Sequence, residues 1–537
     1  MKAKAKRWSL LALIAIMAFV FAACSSSSNN TSSSGGNSAN SGTNSGSSNT
    51  GSGSTSKDSI TIAINQNFLT LDPHNTSDTH SITAVRTMYE GLVGFDENMN
   101  VVPLLAENWD VSEDGLVYTF HLRSGIKFHD GADFNAEAVK LNIERAMNPD
   151  NNVRFSRFFT KVASIETPDA NTIVITMSEP YAPFLNKMAM FLIISPNALG
   201  DAEKLAQGVA AGTGPYKFVQ WVSGDRLDLE RNDEYWGEGP KVSKVTFKPV
   251  PENGARMAML QTGEADFIYP FPTEQVEKAE GDANIVLDRT DSTIARYVTL
   301  NILKKPFDDI RVRQALNHAI DKDAYIKVVK SGLGTYLSST MSAKTQYYSE
   351  QPLYEYNPEK AKQLLAEAGY PDGFKVTLWG ESESETVKGM QFIAQQLAEV
   401  GVEVEVQAYE GATLGDMVYT PPEENKVEMW YVSWSPSSGD ADGATRSLFH
   451  SDYWPPAGPN TAFYKNDQVD AWIDEANATS DTAKAAAIYA DIQKQIYADA
   501  PWLFMGVDQI ISGKRANVEG IKVYPDGSIN LRQAELK

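Results

Sequence analysis

FKVTLWGESESETVKGMQFIAQQLAEVGVEVEV, residues 374–406, decides the fold class. Residues 374–379 carry strand character, 386–400 the apolar spacing of a helix, and Val402, Val404 and Val406 alternate with glutamates as a second strand should. Strand, helix and strand in that order make a βαβ unit, so the two strands are parallel and the crossover right-handed. The same grammar runs on either side. Val312, Ala315, Leu316 and Ala319 sit at helical spacing within 309–329. Asn357 and Pro358 open a helix with a cap and a proline at its first position, and Gly369 and Pro371 close it. An alanine-rich helix over 481–498 stops before Pro501.

The first half is more mixed. Strands are expected at 60–64, 118–122 and 126–128, a short helix at 84–91, and a hairpin over 165–177 turning at 168–171. Asn135 caps a helix that runs to Met147, with Ala138, Leu141, Ile143 and Ala146 on its apolar side. No repeat of 20–50 residues is visible, which argues against a solenoid. At 537 residues the chain exceeds one compact core and divides into two or more lobes.

Residues 427–449, VEMWYVSWSPSSGDADGATRSLF, place chemistry on this frame. An aromatic strand ends near Trp434, where serine, proline and glycine break it. Asp440 and Asp442 follow, then Arg446 on a helix start. Aromatic faces, carboxylates and a guanidinium thus meet where a strand hands over to a loop, the usual ligand position in open α/β sheets. On spacing alone either aspartate is suited to cap the helix.

Composition narrows the function classes. Hydrophobic residues at 42% and charged residues at 22% are those of a globular chain. A formal charge of −22 argues against nucleic acid as a partner, which requires a basic face. Lys2, Lys4, Lys6 and Arg7 precede an apolar run over 8–21, and Ala22, Ala23 and Cys24 close it, the pattern of a secretory signal. The run is shorter than the ~20 residues that span a bilayer. Cys24, the one cysteine, resembles the lipobox cysteine of bacterial lipoproteins with Phe21 in place of the usual leucine; lipidation at Cys24 is therefore expected. Residues 25–56 hold only Ser, Gly, Asn and Thr apart from Ala39, a linker whose r.m.s. reach is about 30 Å.

Catalytic signatures are missing. The sequence contains no phosphate-binding P-loop, no G-x-G-x-x-G after a strand, no H-E-x-x-H and no G-x-S-x-G. Six histidines are dispersed; His74 with His80, or His121 with His129, could meet, but solvated or core histidines are the simpler reading. No enzyme activity, cofactor or metal is expected. The 10 Trp and 22 Tyr suit a pocket that stacks on a flexible ligand, although most belong to the core.

From Gly212-Thr213-Gly214-Pro215-Tyr216-Lys217-Phe218 onward the chain resembles the family 5 substrate-binding proteins of ABC importers, which bind oligopeptides, dipeptides, glutathione or nickel. Asn232-Asp233-Glu234-Tyr235-Trp236, residues 260–266, Asn301 with residues 305–308, residues 312–316 and residues 360–370 follow at the family's spacing. The resemblance covers nearly all of 58–537. Within the family it runs to the glutathione-binding members, through residues 256–265, Gly439-Asp440-Ala441-Asp442, Trp454-Pro455-Pro456 and residues 460–464. Asp440 stands where those members have Glu. The arginine by which dipeptide binders grip a peptide carboxylate is replaced by residues 380–384, GESES.

This resemblance implies an α/β, two-lobed periplasmic-binding fold with a hinge and an inter-lobe cleft. A signal peptide over 1–23 and the lipidated linker 24–57 would precede it. Residues 58–295 and 506–537 would form the first lobe with a family-specific extra subdomain, and 296–505 the second. Crossings near 294–296 and 503–506 would make the hinge. The implied function is capture of glutathione or a short peptide by a monomeric lipoprotein on the outer face of the membrane, and delivery to the permease subunits. A nickel chelate or another solute, or a role as a ligand sensor, is the alternative. By the same resemblance Asp440 pairs the solute's ammonium, with Trp434 and Trp379 as aromatic walls and Thr213 in the ligand-binding set. Arg296 and Arg446 are the candidates for a ligand carboxylate, Arg86 a third, and Asp442 is left as the helix cap.

Overall fold

The computed structural model describes residues 58–436 and 438–537. The expected signal, Cys24 and the linker to residue 57 lie outside the described residues.

Eleven strands join in one mixed sheet built around two long strands, Ile285–Leu300 and Trp502–Arg515, which pair antiparallel. On one side Met429–Trp434, Phe374–Glu381 and Val402–Tyr409 follow in that order. On the other lie Phe267–Tyr269, Ser59–Ile64, Lys244–Pro249, Arg226–Arg231 and Tyr216–Val222. The βαβ reading is realised: Phe374–Glu381 and Val402–Tyr409 are parallel, with helix Ser384–Ala398 between them. Val376 and Leu378 are buried on the helix-covered face, where Met390, Ile393 and Leu397 meet them. A separate four-stranded sheet, in the order Ala106–Val111, Val117–Leu122, Thr172–Met177 and Val162–Asp169, contains the expected hairpin.

The cores divide in the same way as the sheet. Residues between 60 and 285, together with 510–534, supply three clusters, joined only by Leu333 from outside that range. Residues 295–507 supply the other three. The two long strands cross from one set to the other. At the crossing their ladder slips, with register shifts between Asp291 and Ala295 and between Arg296 and Tyr297. Beside the crossing, Asn317, buried on helix Ile310–His318, pairs backbone groups on the other edge of Trp502–Arg515, away from Ile285–Leu300: its Oδ1 accepts from Phe504 N at 3.1 Å and its Nδ2 donates to Trp502 O at 2.8 Å.

Two sequence expectations need correction. The single helix over 309–329 is two, Ile310–His318 and Lys322–Val328, because the Asp321 carboxylate accepts from Ala324 N and starts a new helix. The strand over 126–128 does not form; Gly131, at φ 85°, turns the chain so early that only a lone Lys127–Asp133 bridge remains. The helix expected over 84–91 runs Thr79–Met88, started by the Asp78 side chain accepting from Ser81 N.

Asn317→Ala should strand one buried donor and one buried acceptor at the crossing. Urea unfolding should show a loss on the order of 1–3 kcal/mol for each group left unpaired. A loss below 0.5 kcal/mol, roughly that of a surface change, would show that water repairs the break.

Candidate functional site

Strand direction locates the site. Ser59–Ile64, Lys244–Pro249 and Phe267–Tyr269 are mutually parallel, and so are Phe374–Glu381, Val402–Tyr409 and Met429–Trp434. Phe267 pairs with Lys514 and Ile268 with Gly513, so this strand runs toward lower numbers on Trp502–Arg515. Those residues face Val286 and Leu287, and the strand therefore advances toward 288. Met429–Trp434 advances from Leu300 to Ala295. The carboxyl ends of both groups thus aim at the stretch between Asp288 and Ala295, the position where open α/β sheets bind ligands.

The two sides meet above that stretch. Thr293 N donates to Pro525 O at 2.9 Å, and the Thr293 and Ser435 hydroxyls lie 2.6 Å apart. Helix Phe184–Met190 reaches the loop before helix Ala441–Phe449, where Asn186 Nδ2 donates to Ser438 O at 3.0 Å. Lys187 Nζ donates to Ser438 Oγ at 2.8 Å and to Asp440 Oδ2 at 2.9 Å. Gly439, at φ 64°, leaves room for Met99; a Cβ there would stand 3.3 Å from the Met99 side chain.

Asp440 is the helix cap, correcting the assignment of that role to Asp442: its Oδ1 accepts from Gly443 N at 2.7 Å. Burial pushes its carboxyl up, but Lys187 and the donors at Ser438 and Gly443 outweigh burial and hold it below the ordinary range. Both oxygens are committed, so a seat for a solute ammonium at Asp440 is already filled by Lys187. Asp442 instead accepts from Arg446 Nε at 2.9 Å. Burial raises its carboxyl, Arg446 opposes, and Asp440 adds to the rise, leaving it above the ordinary range.

The remaining candidates are dispersed. Arg446 also donates to Asp474 Oδ1 at 2.9 Å and to Ile473 O at 3.2 Å, which ties it to a neighbouring helix. Arg296 stays at the crossing, its Nε donating to Asp508 Oδ2 at 2.9 Å, with Lys330 Nζ 2.9 Å from the other oxygen and Glu385 3.8 Å from its Nη2. Burial pulls the Arg296 guanidinium down, but Asp508 and its neighbours outweigh burial and hold it above its ordinary range, so it remains charged. Thr213 is fully buried and donates to Glu90 Oε2 at 2.9 Å, far from a free hydroxyl. Trp434 is half-buried beside Pro436 and Met341, its indole donating to Gly443 O at 3.2 Å. Trp379 packs under helix Gly411–Val418 with Leu414, Val418 and Trp430, and its Nε1 has no hydrogen-bond partner among the described residues. Arg86 donates to Asp526 at 2.7 Å and Ser528 at 2.9 Å and borders a cavity of about 170 Å³ with Phe95, Tyr524 and Arg532. Sequence reasoning missed Lys187, Thr293 and Ser435, whose types and spacing carry no signal.

His74, His80 and His129 are structural. His74 Nε2 meets Leu192 O at 2.8 Å while Arg145 donates to its Nδ1 at 2.7 Å; His80 meets Asn65 and His129 meets Gly214 O. Among the described residues no three metal-binding side chains cluster.

Several known proteins share this architecture. The profile of the bacterial extracellular solute-binding proteins, family 5 Middle, matches residues 100–456. The glutathione-binding protein GsiB of Pectobacterium atrosepticum is 41% identical over 486 residues, covering 90% of this chain and 94% of its own. That of Escherichia coli strain K12 is 39% identical over 483 residues, with 89% and 94% covered. Among solved structures, the periplasmic binding protein DppA of Helicobacter pylori in complex with the peptide STSA aligns at TM-score 0.72 and 30% identity, with 88% and 98% covered. NikZ of Campylobacter jejuni in complex with Ni(L-His) aligns at 0.75 and 26%, with 88% and 97% covered.

Burial pushes His74, His80 and His129 each down to about 4. Unfolded imidazoles bind a proton below about pH 6.5, whereas these stay neutral until about pH 4. Stability is therefore fully present above pH 6.5 and falls as pH drops toward 4, by up to about 1.4 kcal/mol per pH unit for each imidazole. Urea unfolding at pH 7 and pH 5 should show this fall, and His80→Gln should make it shallower. An unchanged slope in the variant would mean that His80 titrates normally.

Proposed function

The chain belongs to the bacterial extracellular solute-binding proteins of family 5, and on that premise we propose that it captures glutathione or a short peptide and passes it to an ABC permease. The observation that carries the ligand class is the 39–41% identity, over about 90% of the chain, to glutathione-binding proteins. The 30% identical DppA structure holds a four-residue peptide, which agrees with a peptide-like solute.

Residues 58–295 with 506–537 act as one lobe and 296–505 as the other. The division of the cores and the slipped ladder at 291–297 support a hinge there. The solute lies over the 288–295 stretch, between Trp434 and the loop around Asp526. Arg86, Arg296 and Arg446 are each already paired, with Asp526, Asp508 and Asp442, so a solute carboxylate would share a guanidinium with the chain's own carboxylate; of the three, Arg86 borders the cavity of about 170 Å³. Function requires only binding and closure, with no bond made or broken. Cys24 carries the lipid, and residues 25–56 tether the lobes at the outer membrane face of the cell.

Titration calorimetry with glutathione, di- and oligopeptides and a nickel–histidine complex should give saturable binding for glutathione or a short peptide. Saturation by the nickel complex alone would overturn the peptide reading. Deleting the gene should abolish uptake of the bound solute; intact uptake would leave sensing as the role.

Cys24→Ser should remove lipidation, so the protein is released or retained with its signal uncleaved. A mature-sized variant still held in membranes would contradict the anchor.

A further inference from the structure

A buried carboxylate on the wall of a peptide-binding cleft invites an ammonium from the solute, since leaving such a charge unpaired is costly. Here the chain supplies that ammonium itself. Lys187 Nζ donates to Asp440 Oδ2 at 2.9 Å and to Ser438 Oγ at 2.8 Å, with side-chain exposures of 12% for Lys187 and 4% for Asp440. The other oxygen of Asp440 is taken by Gly443 N. The Lys187–Asp440 pair therefore offers neither an unengaged carboxylate oxygen nor a net charge, and a second ammonium brought to this point would meet Lys187 as a like charge.

We propose that Lys187 is a specificity-determining residue that occupies the ammonium seat at Asp440, so that solutes are accepted whether or not they carry a free amino group at that end. The inference rests on the solute-binding reading above. Lys187 stands on helix Phe184–Met190 and Asp440 at the start of helix Ala441–Phe449, so the pair also bridges the two sides of the cleft. Bridging and selection make different predictions. A residue that only bridges, once removed, weakens every solute equally. A residue that fills the seat, once removed, uncovers a carboxylate that then discriminates in favour of cations.

The test is calorimetric titration of the full chain with glutathione and N-acetylglutathione, and with trialanine and N-acetyl-trialanine. Wild type should bind the free and acetylated members of a pair within about threefold, a difference below the tenfold of 1.4 kcal/mol. Lys187→Met should prefer the free amine by about tenfold or more, the effect of pairing one buried charge. Lys187→Arg should keep the wild-type ratio, and Lys187→Met combined with Asp440→Asn should return the ratio to near unity. A wild type that already prefers the free amine by about tenfold, or a Lys187→Met variant that loses both members equally, overturns the inference while leaving solute binding intact. Failure of wild type to bind any of the four probes overturns the glutathione and short-peptide reading, and the inference with it.

Discussion

Strands Ile285–Leu300 and Trp502–Arg515 are the constraint on which the rest of the molecule hangs. They pair along most of their length, yet each belongs to two sets of core residues. A continuous antiparallel ladder would resist bending. The register shifts at 291–297 interrupt it where the cores change, while Asn317 pairs the Phe504 and Trp502 backbone on the other edge of the same strand.

Charge is arranged to protect the same crossing. Arg296, Lys330, Asp508 and Glu385 form a cluster of two cations and two carboxylates around Gly506, the residue facing Arg296 in the ladder. Such a cluster contributes little net stability, because desolvation offsets the attraction, but removing any one member leaves a buried charge without compensation. The Lys187–Asp440 pair obeys the same rule on the cleft wall. In both places the chain satisfies its own buried charge.

Much of the fold was legible in residues 374–406. Alternation in Val376 and Leu378, helical spacing in Met390, Ile393 and Leu397, and alternation again in Val402 and Val404 impose strand, helix, strand; the parallel pairing follows from connectivity. Caps were equally local: Asn135 and Asn357 each accept from the backbone three residues on, as their positions imply. The site was less legible. Asp440, Asp442 and Arg446 were recognisable as a charged group beside a strand end, but their division of labour was not. Asp440 caps because its Oδ1 reaches Gly443 N, and Asp442 turns to Arg446 one helical turn on. Asp321 shows the same limit in reverse, splitting a helix that apolar spacing alone makes continuous.

The sequence by itself determined the α/β class, the parallel pairing of the 374–381 and 402–409 strands and, through its ordered motifs, the family. These depend on contacts a few residues apart, which spacing encodes directly. Only the tertiary structure decided which charges are free. Lys187 and Asp440 are 253 residues apart in the chain, and Arg296 and Asp508 are 212 apart. Nothing in either neighbourhood specifies the partner. The energy of a buried charge depends on what the fold brings within about 4 Å and on how much water it removes, and both are properties of the assembled lobes.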